Sequence, residues 1–198
     1  MMKILLATDG SESATSALAF MLRLPLPADT EIRLLTVIDK AFYYSKRKKE
    51  LSSEQRQLLE ETKRMLRDEA EDLLAEGEAR LIEAGWPVST QILTGHPSKQ
   101  IVRVAKEIAA DLIVVGLAYP PATRPIEKLG SGLRTLIRRC PSPILAVPGA
   151  FSPLNRPLLA YDGSPKAEEA LFVATYLSAR WGIPLVVVTV IETGRTTS

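Results

Sequence analysis

The segment Lys3-Ile4-Leu5-Leu6-Ala7-Thr8-Asp9-Gly10-Ser11 joins a short apolar run to an Asp-Gly pair and a serine. Such a run predicts a buried strand that ends in a turn. Ser11 is a typical N-cap for the helix that would follow, and Pro25 and Pro27 would end that helix. Residues 32–38 then predict a second strand. Two strands that flank a helix form a βαβ unit with a right-handed crossover.

The alternation of strand and helix continues toward the C-terminus. Residues 52–84 have apolar side chains at helical spacing, and this predicts a long helix whose apolar stripe packs on the core. A helix of this length could also project beyond a small sheet and support an interface. Later strands are predicted at 88–93, 112–115 and 144–147, and later helices from Gly95-His96-Pro97 and from Gly130. The pattern indicates an α/β fold, an open and mostly parallel five-stranded sheet with helices on both faces. Ligands of such sheets bind beyond the carboxyl ends of the strands.

The opening of the chain is repeated near its end. A shift of 153 residues aligns residues 4–38 with 157–191 without a gap, and 13 of the 35 pairs are identical. The repeat predicts a first domain at 1–150 and, at 151–198, the strand, helix and strand that begin an incomplete second domain. Three explanations are open: a shortened domain, a chain that continues beyond Ser198, or a half-domain that packs on something else.

The composition excludes several classes of protein. The 198 residues are 46% hydrophobic and 24% charged, which is typical of a globular chain. A net charge of +2 argues against a nucleic-acid partner, which requires a concentrated basic face. Cys140 is the single cysteine and cannot form an internal disulfide. No apolar run reaches the about 18 residues of a membrane span, so we expect a cytoplasmic protein without a membrane partner.

A glycine-rich helix start follows the strand at 112–115. Gly130-Ser131-Gly132 would expose backbone N–H groups at a helix N-terminus, where they can hold phosphate. Asp9, at the end of the first strand, could accept a hydrogen bond from a ribose hydroxyl or help to hold a metal ion. Val37, at the end of the second strand, could offer backbone groups to a base. Asp9-Gly10-Ser11 has a second interpretation as a turn and a helix cap only.

In combination, these motifs resemble the universal stress protein family. The resemblance depends on residues 4–11, 36–38, 95–97 and 111–116, on Gly130-Ser131, and on 140–147. It implies a Rossmann-like sheet of the adenine nucleotide alpha hydrolase type with strand order 3-2-1-4-5. It also implies dimerisation through the last strand, and a division of the family into members that bind ATP and members that do not.

The resemblance assigns the site residue by residue. Ala7, Asp9, Val37, Val115 and Gly116 would contact the base and ribose of ATP, and Gly130, Ser131 and Gly132 would contact its phosphates, with or without Mg²⁺. The phosphate loop departs from the pattern of the ATP-binding members. Tyr119 replaces the second glycine, and ten residues instead of nine separate it from Gly130. Tyrosine does not readily adopt the positive φ that glycine allows.

The resulting prediction is a nucleotide-binding regulator of the stress response, and the sequence suggests neither a catalytic residue nor a metal site. An alternative is an interaction module whose nucleotide pocket is closed by Tyr119 and the nearby prolines. A nucleotidyl transferase is a weaker third hypothesis. His96 is interpreted as a loop residue and Cys140 as a structural one. The strand at 144–147 would be an uncovered apolar edge, so we expect a homodimer.

Overall fold

The strands and helices alternate through most of the chain. The computed structural model describes residues 1–39, 52–117, 131–151 and 153–189. The contacts divide the chain into two compact units, Met1–Leu22 with Ala28–Phe151 and Arg23–Pro27 with Ser152–Ser198. No helix in the described ranges has both the length and the apolar character that a membrane span requires.

The first unit contains five strands and four helices in the described ranges. The strands are β1 (Met2–Thr8), β2 (Thr30–Asp39), β3 (Val88–Gly95), β4 (Leu112–Leu117) and β5 (Ile144–Pro148). The helices are α1 (Glu12–Met21), α2 (Ser53–Glu83), α3 (Pro97–Glu107) and α4 (Ser131–Arg139).

The five strands form one parallel sheet in the order β3-β2-β1-β4-β5. This confirms the predicted α/β fold and strand order. The chain moves outward from β1 through β2 to β3 and then crosses to β4 and β5 on the other side of β1. The order therefore reverses between β1 and β4, at the centre of the sheet, where the carboxyl ends of parallel strands create a crevice.

Helices cover both faces of the sheet, as expected. On one face Leu5 of β1 and Leu35 of β2 lie in one apolar cluster with residues of α3 and α4, among them Val104 and Leu136. On the opposite face α2 approaches β2 closely, since a Cβ added at Gly77 would lie 2.9 Å from Leu34 Cδ2. The alternation of side chains along each strand places neighbouring leucines on opposite faces.

The helix α2 is about as long as the sequence predicts, and its apolar stripe packs on the core over only part of its length. Leu74 and Leu81 are buried, whereas Leu58 and Met65 are 64% and 62% exposed. The helix has 31 residues, or about 46 Å at 1.5 Å per residue, and a strand of ten residues spans only about 33 Å. Among the described residues, the sheet is therefore too short to lie beneath the whole helix.

The second unit, described by itself, contains β6 (Leu158–Ala160), α5 (Pro165–Trp181) and β7 (Val186–Val188). β6 and β7 pair in parallel, with Leu158 opposite Val186. In the first unit Leu5 lies opposite Arg33. Leu158 and Val186 follow Leu5 and Arg33 by 153 residues each, which is the shift found in the sequence.

The turn after β6 is stabilised by its own side chains. The Ser164 N–H donates to Asp162 Oδ1 over 2.9 Å, and Ser164 Oγ accepts from the Ala167 N–H over 3.2 Å. Hydrogen bonds from the side chain and then the backbone of Ser164 lower the pKa of Asp162 from its ordinary value of 3.8. The hydrogen bonds of this turn therefore favour the ionised carboxylate of Asp162.

Candidate functional site

A cavity of about 230 Å³ opens at the carboxyl ends of β1, β2 and β4. This volume is somewhat below the about 300–1,000 Å³ of pockets that enclose a drug-sized ligand. Its lining residues come from the three strand ends, the first turn of α1, and the helices α3 and α4: Ala7, Thr8, Asp9, Ser11, Ser13, Ala14, Leu35, Val37, Pro97, Ser98, Ile101, Val115, Gly116, Gly132, Leu133 and Leu136. The cavity lies where the reversal of strand order predicts a ligand site.

The structure places six of the predicted site residues in this lining: Ala7, Asp9, Val37, Val115, Gly116 and Gly132. Ser131 is the first residue of α4, and its side chain is outside the described part of the structure. Gly130 and Tyr119 also lie outside the described residues. The effect of Tyr119 on the cavity therefore stays a prediction.

Asp9 takes part in the turn between β1 and α1. Its Oδ1 accepts a hydrogen bond from the Ser11 N–H over 3.0 Å, and Ser11 Oγ accepts from the Ala14 N–H over 3.2 Å, as an N-cap does. The interpretation as turn and cap thus has direct structural support. It is compatible with ligand binding, because Asp9 is exposed and lines the cavity while only one carboxylate oxygen is used in this turn.

Gly116 allows β4 to end directly against the start of α1. A Cβ at this position would lie 2.4 Å from the Ser13 carbonyl carbon and 2.5 Å from the Ala14 nitrogen. These are backbone atoms, which cannot move aside as a side-chain end can. Glycine is therefore required here by packing, independently of any role toward a phosphate.

The N-terminus of α4 forms one wall of the cavity. Gly132 lies in its first turn, and a Cβ there would meet no atom of the described residues within 4 Å. The first turn contains no acidic residue, whereas Arg138 and Arg139 lie in the last turn. Because the helix dipole places partial positive charge at the N-terminus, this wall favours an anion.

A second part of the lining is apolar and comes from β2 and α3. Leu35 and Val37 of β2 and Pro97 and Ile101 of α3 line it. β2 and β4 flank β1, so the cavity extends over two strand spacings, about 10 Å. The cavity thus combines apolar side chains from β2 and α3 with the polar residues Asp9, Ser11 and Ser13 and with the first turn of α4.

The contribution of α3 was missed by the sequence reasoning. The rule that ligands bind at the carboxyl edge of the sheet applies to the loop after β3 as well as to those after β1 and β2. Pro97 and Ser98 follow β3 within three residues. That spacing was the signal that could have identified them.

His96 and Cys140 lie outside the described lining of the cavity. His96 is the N-cap residue of α3 and makes no side-chain capping hydrogen bond, while Cys140 is half-buried against the core cluster. Within the described ranges, no group of three or more His, Cys, Asp or Glu side chains is arranged to hold a metal ion.

Comparison with known proteins identifies similar chains. The family model described as the universal stress protein family matches residues 1–148. The universal stress protein Slr1230 of Synechocystis sp. is 29% identical over 209 residues, covering 98% of this chain and 72% of that protein. The universal stress protein MJ0531 of Methanocaldococcus jannaschii is 28% identical over 73% of this chain and 81% of its own length.

Solved structures agree in fold. The structure of MJ0577 from M. jannaschii is 28% identical, with a TM-score of 0.61 over 76% of this chain and 97% of that one. The universal stress protein from Archaeoglobus fulgidus DSM 4304 is 22% identical, with a TM-score of 0.74, and the match covers 98% of this chain and 69% of that one.

Two further structures of the same fold contain nucleotides. A universal stress protein family protein from Arabidopsis thaliana was solved with AMP bound; it is 19% identical, with a TM-score of 0.52 over 75% of this chain and 92% of that one. Another universal stress protein was solved in complex with cAMP; it is 21% identical, with a TM-score of 0.52 over 75% of this chain and 98% of that one.

Proposed function

This chain belongs to the universal stress protein family, and from that premise we propose that its first unit binds an adenine nucleotide and acts as a regulator in the response to stress. The proposal is for ligand binding and not for turnover. AMP and cAMP in two structures of the same fold support this class of ligand.

The observation that carries the proposal is the mixed apolar and polar character of the cavity lining. An apolar wall formed by Leu35, Val37, Pro97 and Ile101 suits the faces of a purine ring. The N-terminus of α4, which also lines the cavity, suits a phosphate group. Asp9 lines the same cavity and could accept a hydrogen bond from a ribose hydroxyl. The lining thus offers a contact for each part of a nucleotide, namely its base, its ribose and its phosphate.

The proposal is tested by calorimetric titration of the protein with ATP, AMP and cAMP, each with and without Mg²⁺. The informative variant is Gly132→Asp, since the described residues leave room for a side chain at this position. An added carboxylate beside the phosphate should weaken ATP binding by about 10-fold through like-charge repulsion.

The matched control is Gly132→Asn, which has nearly the same shape without the charge. It should retain most of the affinity. Absence of binding to the unaltered protein at millimolar nucleotide would refute the proposal. If Gly132→Asp and Gly132→Asn lose the same amount of nucleotide affinity, the phosphate does not lie at the N-terminus of α4.

A second proposal concerns assembly, and a specific observation favours it. β5 pairs with β4 and with no other strand in the described ranges, while Ile144, Leu145 and Ala146 are only partly buried. An apolar edge of this kind is a template for pairing with another chain. We propose a homodimer formed through β5, whether or not a nucleotide is bound.

We also propose that residues 157–191 are a second copy of the first βαβ segment. The equal strand register supports this, because a chance similarity in sequence would not fix which residues pair. The same side chains also form the turns: Ser11 bonds to Asp9 as Ser164 bonds to Asp162.

A further inference from the structure

Ser98 in the first turn of α3 has a buried hydroxyl that the fold itself does not use. The residue is 3% exposed, and its Oγ has no hydrogen-bond partner in the described part of the chain. It also lines the cavity. We propose that Ser98 is a specificity-determining residue that forms a hydrogen bond with the purine base of the bound nucleotide; this inference rests on the proposed function.

A buried hydroxyl without a partner is unfavourable. Most buried polar side-chain atoms in proteins form hydrogen bonds, and burial of one without a partner costs free energy that an alanine would avoid. Packing alone thus gives no reason for a hydroxyl at this position. A ligand that enters the cavity and bonds to Oγ supplies the missing partner.

The position of Ser98 points to the base and not to the phosphate. Its neighbours in the lining are Pro97 and Ile101 of the same helix, which belong to the apolar wall. Asp9 follows β1 and Gly132 belongs to α4, whereas α3 packs against β2, the strand that carries Val37. A planar heterocycle between Val37 and α3 would therefore lie nearest to Ser98.

A serine hydroxyl can both donate and accept a hydrogen bond. The edge of adenine presents both kinds of group, an amino group at position 6 and an acceptor nitrogen at position 1. Within the described part of the chain, Ser98 Oγ has no hydrogen-bond partner. Rotation about the Cα–Cβ bond toward the base therefore breaks no hydrogen bond among the described residues. The same chemistry would let Ser98 discriminate between purines that differ at this edge.

The test is a set of calorimetric titrations on the full chain with AMP and two analogues, one without the 6-amino group and one with carbon in place of N1. Ser98→Ala should weaken AMP binding by about 3- to 10-fold, the loss of one hydrogen bond. It should also reduce the preference for AMP over at least one analogue, since the variant no longer contacts that group.

The matched control is Ser178→Ala, which removes a serine of similar burial, 6% exposed, from α5 in the second unit. It should leave all three affinities unchanged. Thermal unfolding without nucleotide provides a further readout: Ser98→Ala should be as stable as the parent or more stable, because it removes an unpaired buried hydroxyl.

The outcomes separate this inference from the proposed function. Unchanged AMP binding by Ser98→Ala, or an equal loss for AMP and both analogues, would overturn the role of Ser98 and leave nucleotide binding intact. A large loss of stability without ligand would assign the hydroxyl to the fold and also overturn it. If the parent protein binds no nucleotide, the proposed function fails and this inference fails with it.

Discussion

At the scale of single residues, the site depends on positions where size matters as much as chemistry. Gly116 lies in the cavity lining, but its strongest constraint comes from the backbone of Ser13, 2.4 Å from where a Cβ would be. Gly132 lies in the same lining with open space around it. Two glycines that look equivalent in a sequence motif thus have different physical roles.

This difference gives a prediction for stability. Gly116→Ala should lower the free energy of unfolding by about 1–3 kcal/mol, because β4 or α1 must shift to accommodate the new methyl group. Gly132→Ala, the control, should leave stability unchanged or raise it by up to about 1 kcal/mol through helix propensity. Urea denaturation measures both. An unaffected Gly116→Ala protein would contradict the close packing of β4 on α1.

At the scale of secondary structure, α2 has two parts that differ in their surroundings. Among its described residues, the buried ones are Ala70, Leu74, Gly77 and Leu81, all in the C-terminal half. The N-terminal half begins with a capping box between Ser52 and Gln55 and has ion pairs such as Arg67 with Glu71, at exposed positions. Such contacts stabilise a helix weakly.

We therefore predict unequal protection from hydrogen exchange along α2. Backbone amides of residues 56–69 should exchange about 10-fold faster, or more, than those of 70–83, because tertiary packing supplies most of a helix's stability. Exchange detected by mass spectrometry or NMR measures this. Equal protection along the whole helix would mean that another surface covers Leu58 and Met65 in solution.

The order and type of the elements could be predicted from the sequence, since apolar runs such as Leu112–Val115 can only be strands buried on both faces. Asp9 directly follows β1 and Val37 lies near the end of β2. Both could therefore be placed at the carboxyl edge of the sheet once the strands were predicted. Ser98 was missed although it follows β3 within three residues, and the sequence could not show the burial of its hydroxyl, which depends on how α3 packs on the sheet. The length of α2 indicated that it could project beyond the sheet, but the periodicity alone could not show that Met65 lies in the exposed part.

At the scale of the whole molecule, the two edges of the sheet differ. β3 is at one edge and β5 at the other. The exposed β3 positions include polar residues such as Ser89 and Thr90, which discourage pairing, whereas β5 presents apolar residues. This contrast supports the proposal that two chains associate through β5.

The dimer prediction can be tested with proline at matched edge positions. The Ile113 N–H bonds to the Pro143 carbonyl and the Ile32 N–H to the Pro87 carbonyl, both over 2.9 Å. Because bonding alternates along a parallel ladder, residues 146 and 90 each direct their N–H away from the sheet. Ala146→Pro removes the outward donor of β5, and Thr90→Pro removes that of β3.

Light scattering should give the parent protein a mass of twice 21.7 kDa. Ala146→Pro should shift the population to the monomer, and Thr90→Pro should not, since proline is tolerated at an edge that no strand joins. A monomeric parent protein, or dissociation by both variants alike, would refute association through β5.

The shared register of the two βαβ segments has a consequence for engineering. Because paired positions are separated by the same number of residues in each, residues 158–188 can be transplanted in place of 5–35 without inserting or deleting a single position. Leu158, 68% exposed in its own unit, would then occupy the place of Leu5, which is fully buried. Residues 158–188 are thus a replacement of matching length for the central β1-α1-β2 segment. A chimera that contains them there would show which substitutions a buried strand tolerates.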